Sequence, residues 1–295
     1  IWGAQKYNPA GILTGEKIWQ KFMERQETES IPYPECLGDL NEKINGMRHG
    51  EITLFTSGTG SGKSTVIKEV IWHLLSTTKE KVGLISLEES IGDTAEKLIG
   101  MSISKRIGGE LPVTHHEMRQ GFDRVFKDER LVLLDHQGSV EDSSLIDKIE
   151  YMALMGCKYL FLDHITIAVS EGNDGLTGNA AVDKVMSDLL KIVKKHNVWL
   201  GIVSHLRKAT DGKAFEEGRM ASIDDIKGSG SIKQISFDII AFNRNLVAEN
   251  ADERNKIGFA VLKSRFTGLT GPAGWSVYDI KTGRLEKGES GFAII

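Results

Sequence analysis

"TLFTSGTGSGKSTVIKEV", residues 53–70, decides how the rest of the chain is read. An apolar run ends in a loop with three alternating glycines, Gly58, Gly60 and Gly62. Lys63, Ser64 and Thr65 follow, and then a helical pattern. Glycines let the backbone wrap closely around an anion, and the N–H groups of such a loop converge with the positive end of the next helix. The segment Ser57, Gly58, Thr59, Gly60, Ser61, Gly62, Lys63, Ser64, Thr65 is therefore expected to cradle phosphate. Lys63 can reach the outer phosphates, and the Ser64 hydroxyl can hold Mg²⁺. The usual motif begins with Gly, where this chain has Ser57. The alternative, a glycine-rich turn that happens to precede a lysine, does not account for the strand–loop–helix setting.

Outward from this loop, short apolar runs alternate with helical patterns. The runs are 51–56, 81–87, 131–135, 158–163, 198–205, 237–242 and 256–264, and several are apolar throughout, as in strands buried on both faces of a parallel sheet. Helices are expected near 65–76, 90–100, 141–155 and 182–196. The spacing predicts an α/β fold with a mostly parallel sheet, whose ligands bind at the carboxyl ends of the strands. The tail, with Gly268, Gly271, Gly274 and Gly283, reads as turns and a hairpin. Residues 14–26 read as a helix capped by Thr14, with Ile18, Trp19, Phe22 and Met23 in one apolar stripe. Prolines at 9, 32 and 34 flank it, so it is a tethered helix whose stripe needs a surface.

Composition narrows the classes. The 295 residues include 37 basic and 41 acidic side chains, a net charge of −4, which excludes a general polycation but leaves room for a local basic patch. Cys36 and Cys157 are too few for a disulfide framework or a zinc site, and a reducing cytoplasm is expected. No apolar run approaches the ~20 residues of a membrane span, and no secretory signal is visible, so a soluble protein is expected. The first residue is not Met, and a preceding domain is expected.

Polar residues stand where the buried runs end. Asp163 can hold Mg²⁺ through its water shell; Asp135 is its rival. Glu88 and Glu89 end another run. Glu88, nearer the strand, is expected to orient or deprotonate water beside the γ-phosphate if its strand neighbours the cradle strand; otherwise both acids merely open the next helix. His205 ends a third run and can hydrogen-bond the γ-phosphate. Lys263 and Arg265, two apart, could aim at one phosphate, as when a neighbouring subunit supplies a cation to a P-loop site; the bland alternative is two solvated charges. Three loops follow strands on this face: 170–181, 206–220 and 227–234. Between 206 and 234 six basic residues face five acidic ones, a small net field in one chain. Arg207, Lys208, Lys213, Lys227, Gly228, Ser229, Gly230 and Lys233 suit a phosphate backbone, since ammonium and backbone N–H groups both donate. Several copies facing one channel would strengthen the field.

The segments "SGTGSGKST", "VGLISLEES", "FLDHITIAVS", "VSHLRK", "EEGR", "DIKGSGSIKQIS" and "LKSRFTGLTG" together resemble the helicase half of the bifunctional primase–helicases of short-tailed phages. More distantly the chain is similar to Twinkle and the DnaB-type helicases. The resemblance covers nearly the whole chain. It implies a RecA-like P-loop NTPase fold over 36–295, preceded by the end of a primase-like domain and a linker helix at 1–35. It implies hexameric or heptameric rings, ATP or dTTP with Mg²⁺ between subunits, and 5′-to-3′ movement on single-stranded DNA with unwinding of forked duplex. It makes Glu88 the base, Asp163 the metal acid, His205 the γ-phosphate sensor, and Arg265 a finger acting in trans with Lys263 beside it. Arg244 and Tyr278 would sandwich the nucleotide base, and Gln234 would contact the neighbouring site. Arg207 departs from a Lys in the phage relatives' DNA loop. A replicative DNA polymerase partner and the cytoplasm of an infected bacterium, rather than a mitochondrion, belong to the same expectation. A RecA-type recombinase or a non-unwinding DNA-stimulated ATPase would share this core, whereas a small-molecule P-loop kinase would need neither the trans arginine nor the loops.

Overall fold

Alternation of apolar side chains along central strands sets the layers. The computed structural model describes residues 12–27, 29–135, 144–165, 178–207, 212–228 and 230–288. Its nine-stranded sheet contains β3 (Ile52–Ser57), β4 (Lys81–Ser86), β5 (Leu131–Leu133), β6 (Cys157–Asp163), β7 (Trp199–His205), β8 (Asp238–Asn243), β9 (Lys256–Ser264), β10 (Gly271–Tyr278) and β11 (Leu285–Lys287). The spatial order is β11-β10-β9-β8-β3-β7-β6-β4-β5. Strands from β8 to β5 in that order are parallel, and β9, β10 and β11 extend the sheet antiparallel. A separate two-stranded sheet pairs β1 (Ser30–Ile31) with β2 (Met47–Arg48).

β3 is buried along its length, as a central parallel strand must be. Phe55 faces a core formed with Val66, Val70 and Leu74 of α3 (Lys63–Thr77) and Leu98 of α4 (Ile91–Ser102). Its neighbour Leu54 faces the other core, built from Ile149 of α6 (Leu145–Leu154) and Met186, Leu189 and Val193 of α7 (Asn179–His196). Truncating such a residue to Ala costs ~2–5 kcal/mol. Between the layers, Trp199 Nε1 and the Tyr33 hydroxyl both donate to Thr53 Oγ1, at 3.1 and 3.4 Å.

All seven apolar runs form strands and the four expected internal helices form, so a mostly parallel α/β sheet stands as read. The tail is a hairpin, β10 with β11, and β10 also pairs with β9. Two features differ. First, α1 (Glu16–Gln26) is capped by Gly15 at φ 55, with no side-chain cap. The glycine's left-handed turn starts the helix one residue later, out of reach of Thr14. Its stripe is exposed, Trp19 at 54%. Second, α5 (His115–Phe126) lies in a stretch for which no element was expected. It carries a capping box in which Thr114 and Glu117 satisfy each other's backbone amides. The remaining helices are α2 (Leu40–Lys43), α8 (Gly230–Ile235) and α9 (Ala251–Asn255).

Candidate active site

The glycine loop leaves β3 and enters α3. Ser57 is still in the extended strand, so a side chain there needs no special backbone freedom. Gly60 and Gly62 have φ of 73° and 94°, and a Cβ on Gly58 would meet the Cβ of Phe215 at 2.7 Å. Lys63 folds back and donates to the carbonyls of Gly58 at 2.8 Å and Ser57 at 3.3 Å. Burial lowers its pKa, while Asp163 and Glu88 favour its charged form. The Ser61 hydroxyl is buried with no partner among the described residues. An orphaned hydroxyl, a lysine holding only carbonyls and left-handed glycines fit a phosphate. Ser64 and Thr65 lie in the first turn of α3.

Asp163 ends β6 and is 8% exposed. Burial raises its pKa; Lys68, His164 and Lys63 pull it back. A buried carboxylate flanked by Ser64's helix suits a hard cation. Asp135 is exposed beyond β5, at the far edge of the sheet, and is not a competitor.

The condition attached to Glu88 is not met: β4 does not neighbour β3, because β7 and β6 lie between them. Glu88 still reaches the site because it projects beyond the strand end. Its Oε1 lies 2.9 Å from His164 Nε2 and 3.9 Å from His205 Nε2. The side chains of Glu88 and Glu89 are 56% and 13% exposed. Glu89 is clamped by Lys68 at 2.6 Å and Lys97 at 2.5 Å. Burial alone would raise its pKa, but these two ammonium groups hold it low. Glu89 is thus held between two cations, while Glu88 is the more exposed carboxylate of the two.

His205 pairs in register with Ser57, so His205 and the glycine loop begin on one rung of the sheet. Its ring centroid is 4.1 Å from that of His164. Burial, with the nearby His164 and Lys63, lowers its pKa to about 4, so it is neutral at pH 7.

Arg265 and Lys263 lie elsewhere. Ser264 pairs with Asp238 and Asp238 with Thr53, so the end of β9 stands at the amino end of the parallel strands. The cradle is at the other end of β3, roughly 17 Å away along a six-residue strand. Lys263 donates to the carbonyls of Ser236 at 2.7 Å and of Lys233, and Arg265 to that of Gln234, at the end of α8. Burial and the adjacent Arg265 lower Lys263 to about 8.

Arg244 and Tyr278 do meet: the guanidinium lies 5.6 Å from the ring centroid. A base between them needs about 7 Å, twice a carbon contact distance, so the pair must part to admit one. Tyr278 also lines a cavity of about 170 Å³ with Thr65, Lys68, Arg106 and Gly283.

Among the loop residues, Lys208 and Ser229 lie outside the described residues, as does most of 170–181. Leu206 bridges Ile226, Lys227 N–H donates to the His205 carbonyl at 3.0 Å, and Arg207 reaches the Gly228 carbonyl at 3.3 Å. Arg207, Lys227 and Gly228 therefore share one surface next to His205. Lys233 pairs with Asp224 at 3.2 Å, and Gly230 opens α8. Lys213 is exposed on the segment that carries Phe215. Gln234 is exposed.

Two residues of this site were not singled out from the sequence. His164 follows Asp163 in "LDH", a second polar residue at a buried strand end. Lys68 is a cation on the apolar side of "TVIKEVIW", where it would need an acid.

Comparison with known proteins follows the same lines. A model of the DnaB-like helicase C-terminal domain matches residues 34–275. The DNA helicase/primase of Enterobacteria phage T3 is 34% identical over 295 residues, covering 97% of this chain but 51% of that protein, so the chain spans about half its relative's length. A separately solved ATPase domain superposes with a TM-score of 0.74 at 14% identity, covering 93% of this chain and 98% of that one. A DnaB-like replicative helicase, solved in a study of its interactions with primase, gives 0.73 at 13% identity, covering 93% of this chain and 68% of its own. At such identities the likeness is one of fold, the RecA-like fold of DnaB-type ATPase domains.

Proposed function

Because the chain belongs to the family of DnaB-like helicase C-terminal domains, we propose that it is the motor of a replicative DNA helicase, hydrolysing ATP or dTTP to move 5′-to-3′ on single-stranded DNA and part a forked duplex. The observation that carries this is the split between the ends of the sheet. Lys63, Glu88, Asp163 and His205 converge at one end, while Arg265 stands about 17 Å away at the other. One chain cannot bring its own Arg265 to its own cradle, so a neighbour supplies it, and the reaction pocket forms between copies.

Within that pocket each group has one task. The loop amides and Lys63 bind the phosphates. Ser64 and Asp163 would hold Mg²⁺, which supplies charge neutralisation on the phosphate oxygens. Glu88 orients the attacking water and accepts its proton. Neutral His205 donates a hydrogen bond to the γ-phosphate. Arg265 and Lys263 of the neighbour stabilise charge that develops in transfer, Arg244 and Tyr278 stack on the base, and Gln234 faces the adjoining site. Arg207, Lys208, Lys213, Lys227, Gly228, Ser229, Gly230 and Lys233 grip the strand's backbone. The exposed stripe of α1 covers the next copy in a head-to-tail ring of six or seven. Residues 1–35 are the end of a primase-like domain and a linker helix, and a replicative polymerase is the expected partner in the infected host's cytoplasm. Among the described residues no helix is long and apolar enough to cross a membrane.

A forked duplex with a 5′ single-stranded tail tests the reading. Strand separation dependent on nucleotide and Mg²⁺ is expected. Hydrolysis without separation would make the chain a non-unwinding ATPase, and strand pairing instead would make it a recombinase.

A further inference from the structure

Glu88, His164 and His205 each offer a ligand atom, and the three atoms lie within 4.8 Å of one another. We propose that they form a binding site for a borderline d-block dication of the Zn²⁺ class, separate from the Ser64–Asp163 locus, and that filling it arrests hydrolysis.

The donor set selects the ion. Two imidazoles and one carboxylate favour Zn²⁺, Ni²⁺ or Cu²⁺ over Mg²⁺, which takes oxygen ligands and keeps its water. Three protein ligands leave a fourth position for water, the pattern of open rather than closed zinc sites. Tetrahedral ligands at ~2.0–2.1 Å from zinc stand about 3.3 Å apart. The separations from Glu88 Oε1 to His164 Nε2 and to His205 Nε2, 2.9 and 3.9 Å, bracket that value. Closure needs only small movements of Glu88, 56% exposed, and of His205, 26% exposed. His164, 5% exposed, is the anchor. Its Nδ1 has no partner among the described residues, which leaves that nitrogen able to carry the ring hydrogen when Nε2 binds the ion. Among the described residues no outer group buttresses this ligand, and the lack of such a group weakens a site by about 10–100-fold. The ion is therefore exchangeable. Once bound to a dication, Glu88 cannot accept a proton from water. This consequence alone rests on the reading of Glu88 as the base; the binding itself does not.

The test uses Co²⁺ as a spectroscopic probe on the nucleotide-free chain. Saturable visible absorption of four-coordinate Co²⁺ is expected, displaced by Zn²⁺ but not by millimolar Mg²⁺. His164→Gln and His205→Asn should each weaken it by about 100-fold, at or beyond what loss of an outer partner costs. Because His164 is buried, His205→Asn is the decisive variant, and thermal unfolding verifies that both are folded. Unchanged Co²⁺ binding in His205→Asn, or displacement by Mg²⁺, overturns the site. In Mg²⁺-supported hydrolysis by the unaltered chain, Zn²⁺ should inhibit over the range in which it displaces Co²⁺. Binding without inhibition overturns the arrest. A chain that binds Co²⁺ as expected but hydrolyses no nucleotide keeps the site and refutes the motor.

Discussion

The two ends of the parallel strands are built differently. At the carboxyl end, side chains from four separate elements close on one another: Lys63, Glu88, Asp163–His164 and His205. At the amino end, charged groups turn to backbone carbonyls, to one another or to solvent. Lys263 and Arg265 hold the carbonyls that end α8. Arg48 is buried against Glu51 and stacks 4.1 Å from the centroid of Phe266, Phe266 is 42% exposed, and α1 lies beside it with its stripe uncovered. Under the proposed function, a pocket divided this way would fire only where two copies meet.

The largest test of that contrast is Arg265→Ala. Hydrolysis stimulated by single-stranded DNA should fall by about 10³-fold or more, with nucleotide binding retained. Mixing this variant with Lys63→Ala should restore part of the rate, because an intact cradle then meets an intact arginine. Failure of the mixture to recover would place Arg265 outside the pocket. Next come the paired glutamates. Glu88→Gln should slow hydrolysis by ~10²–10⁴-fold at unchanged stability. Glu89→Gln should instead cost about 3 kcal/mol in urea unfolding, since it leaves Lys68 buried with a weakened partner. Equal effects of the two would erase the distinction drawn between them.

The smallest effect concerns acid. His205 binds its proton near pH 4 in the fold but near 6.5 when unfolded. Between those values the unfolded chain carries more protons, so stability falls as pH falls. Asp238, raised to about 6 by burial, works in the opposite direction over part of that range. The comparison must therefore be with His205→Asn. Relative to that variant, the unaltered chain should lose on the order of 1–2 kcal/mol from pH 6.5 to 4, after allowance for partial exposure. A pH-independent difference in urea midpoint would show that His205 titrates normally.

Legibility in the sequence followed burial. Strands such as "TLFTS" and "YLFLD" are apolar on both faces because the parallel sheet is covered on both, and a continuous apolar run is the clearest signal a chain carries. Polar residues at their ends were visible by contrast. Strand order was not, because nothing in residues 81–87 says that two later strands insert before β3. What separates Glu88 from Glu89 lies in Lys68 and Lys97, contacts made across helices. α5 was overlooked because "HHEMRQGFDRVF" has few apolar residues, and its start is marked only by Thr114 and Glu117. The separation of Arg265 from its own cradle came from the antiparallel turn of β9, which spacing alone does not encode.

α8 runs between the two ends. At its start, Lys227 and Gly228 are zipped to the exit of β7 through Leu206 and Arg207. At its finish, Gln234 and Ser236 are gripped by Arg265 and Lys263. Six residues of helix make a rod about 9 Å long. A rod so short transmits displacement with little bending. Tension applied to the loop by a threaded strand would therefore arrive at the arginine as motion, and the copy next door would register it before any chemistry had occurred in the copy being pulled.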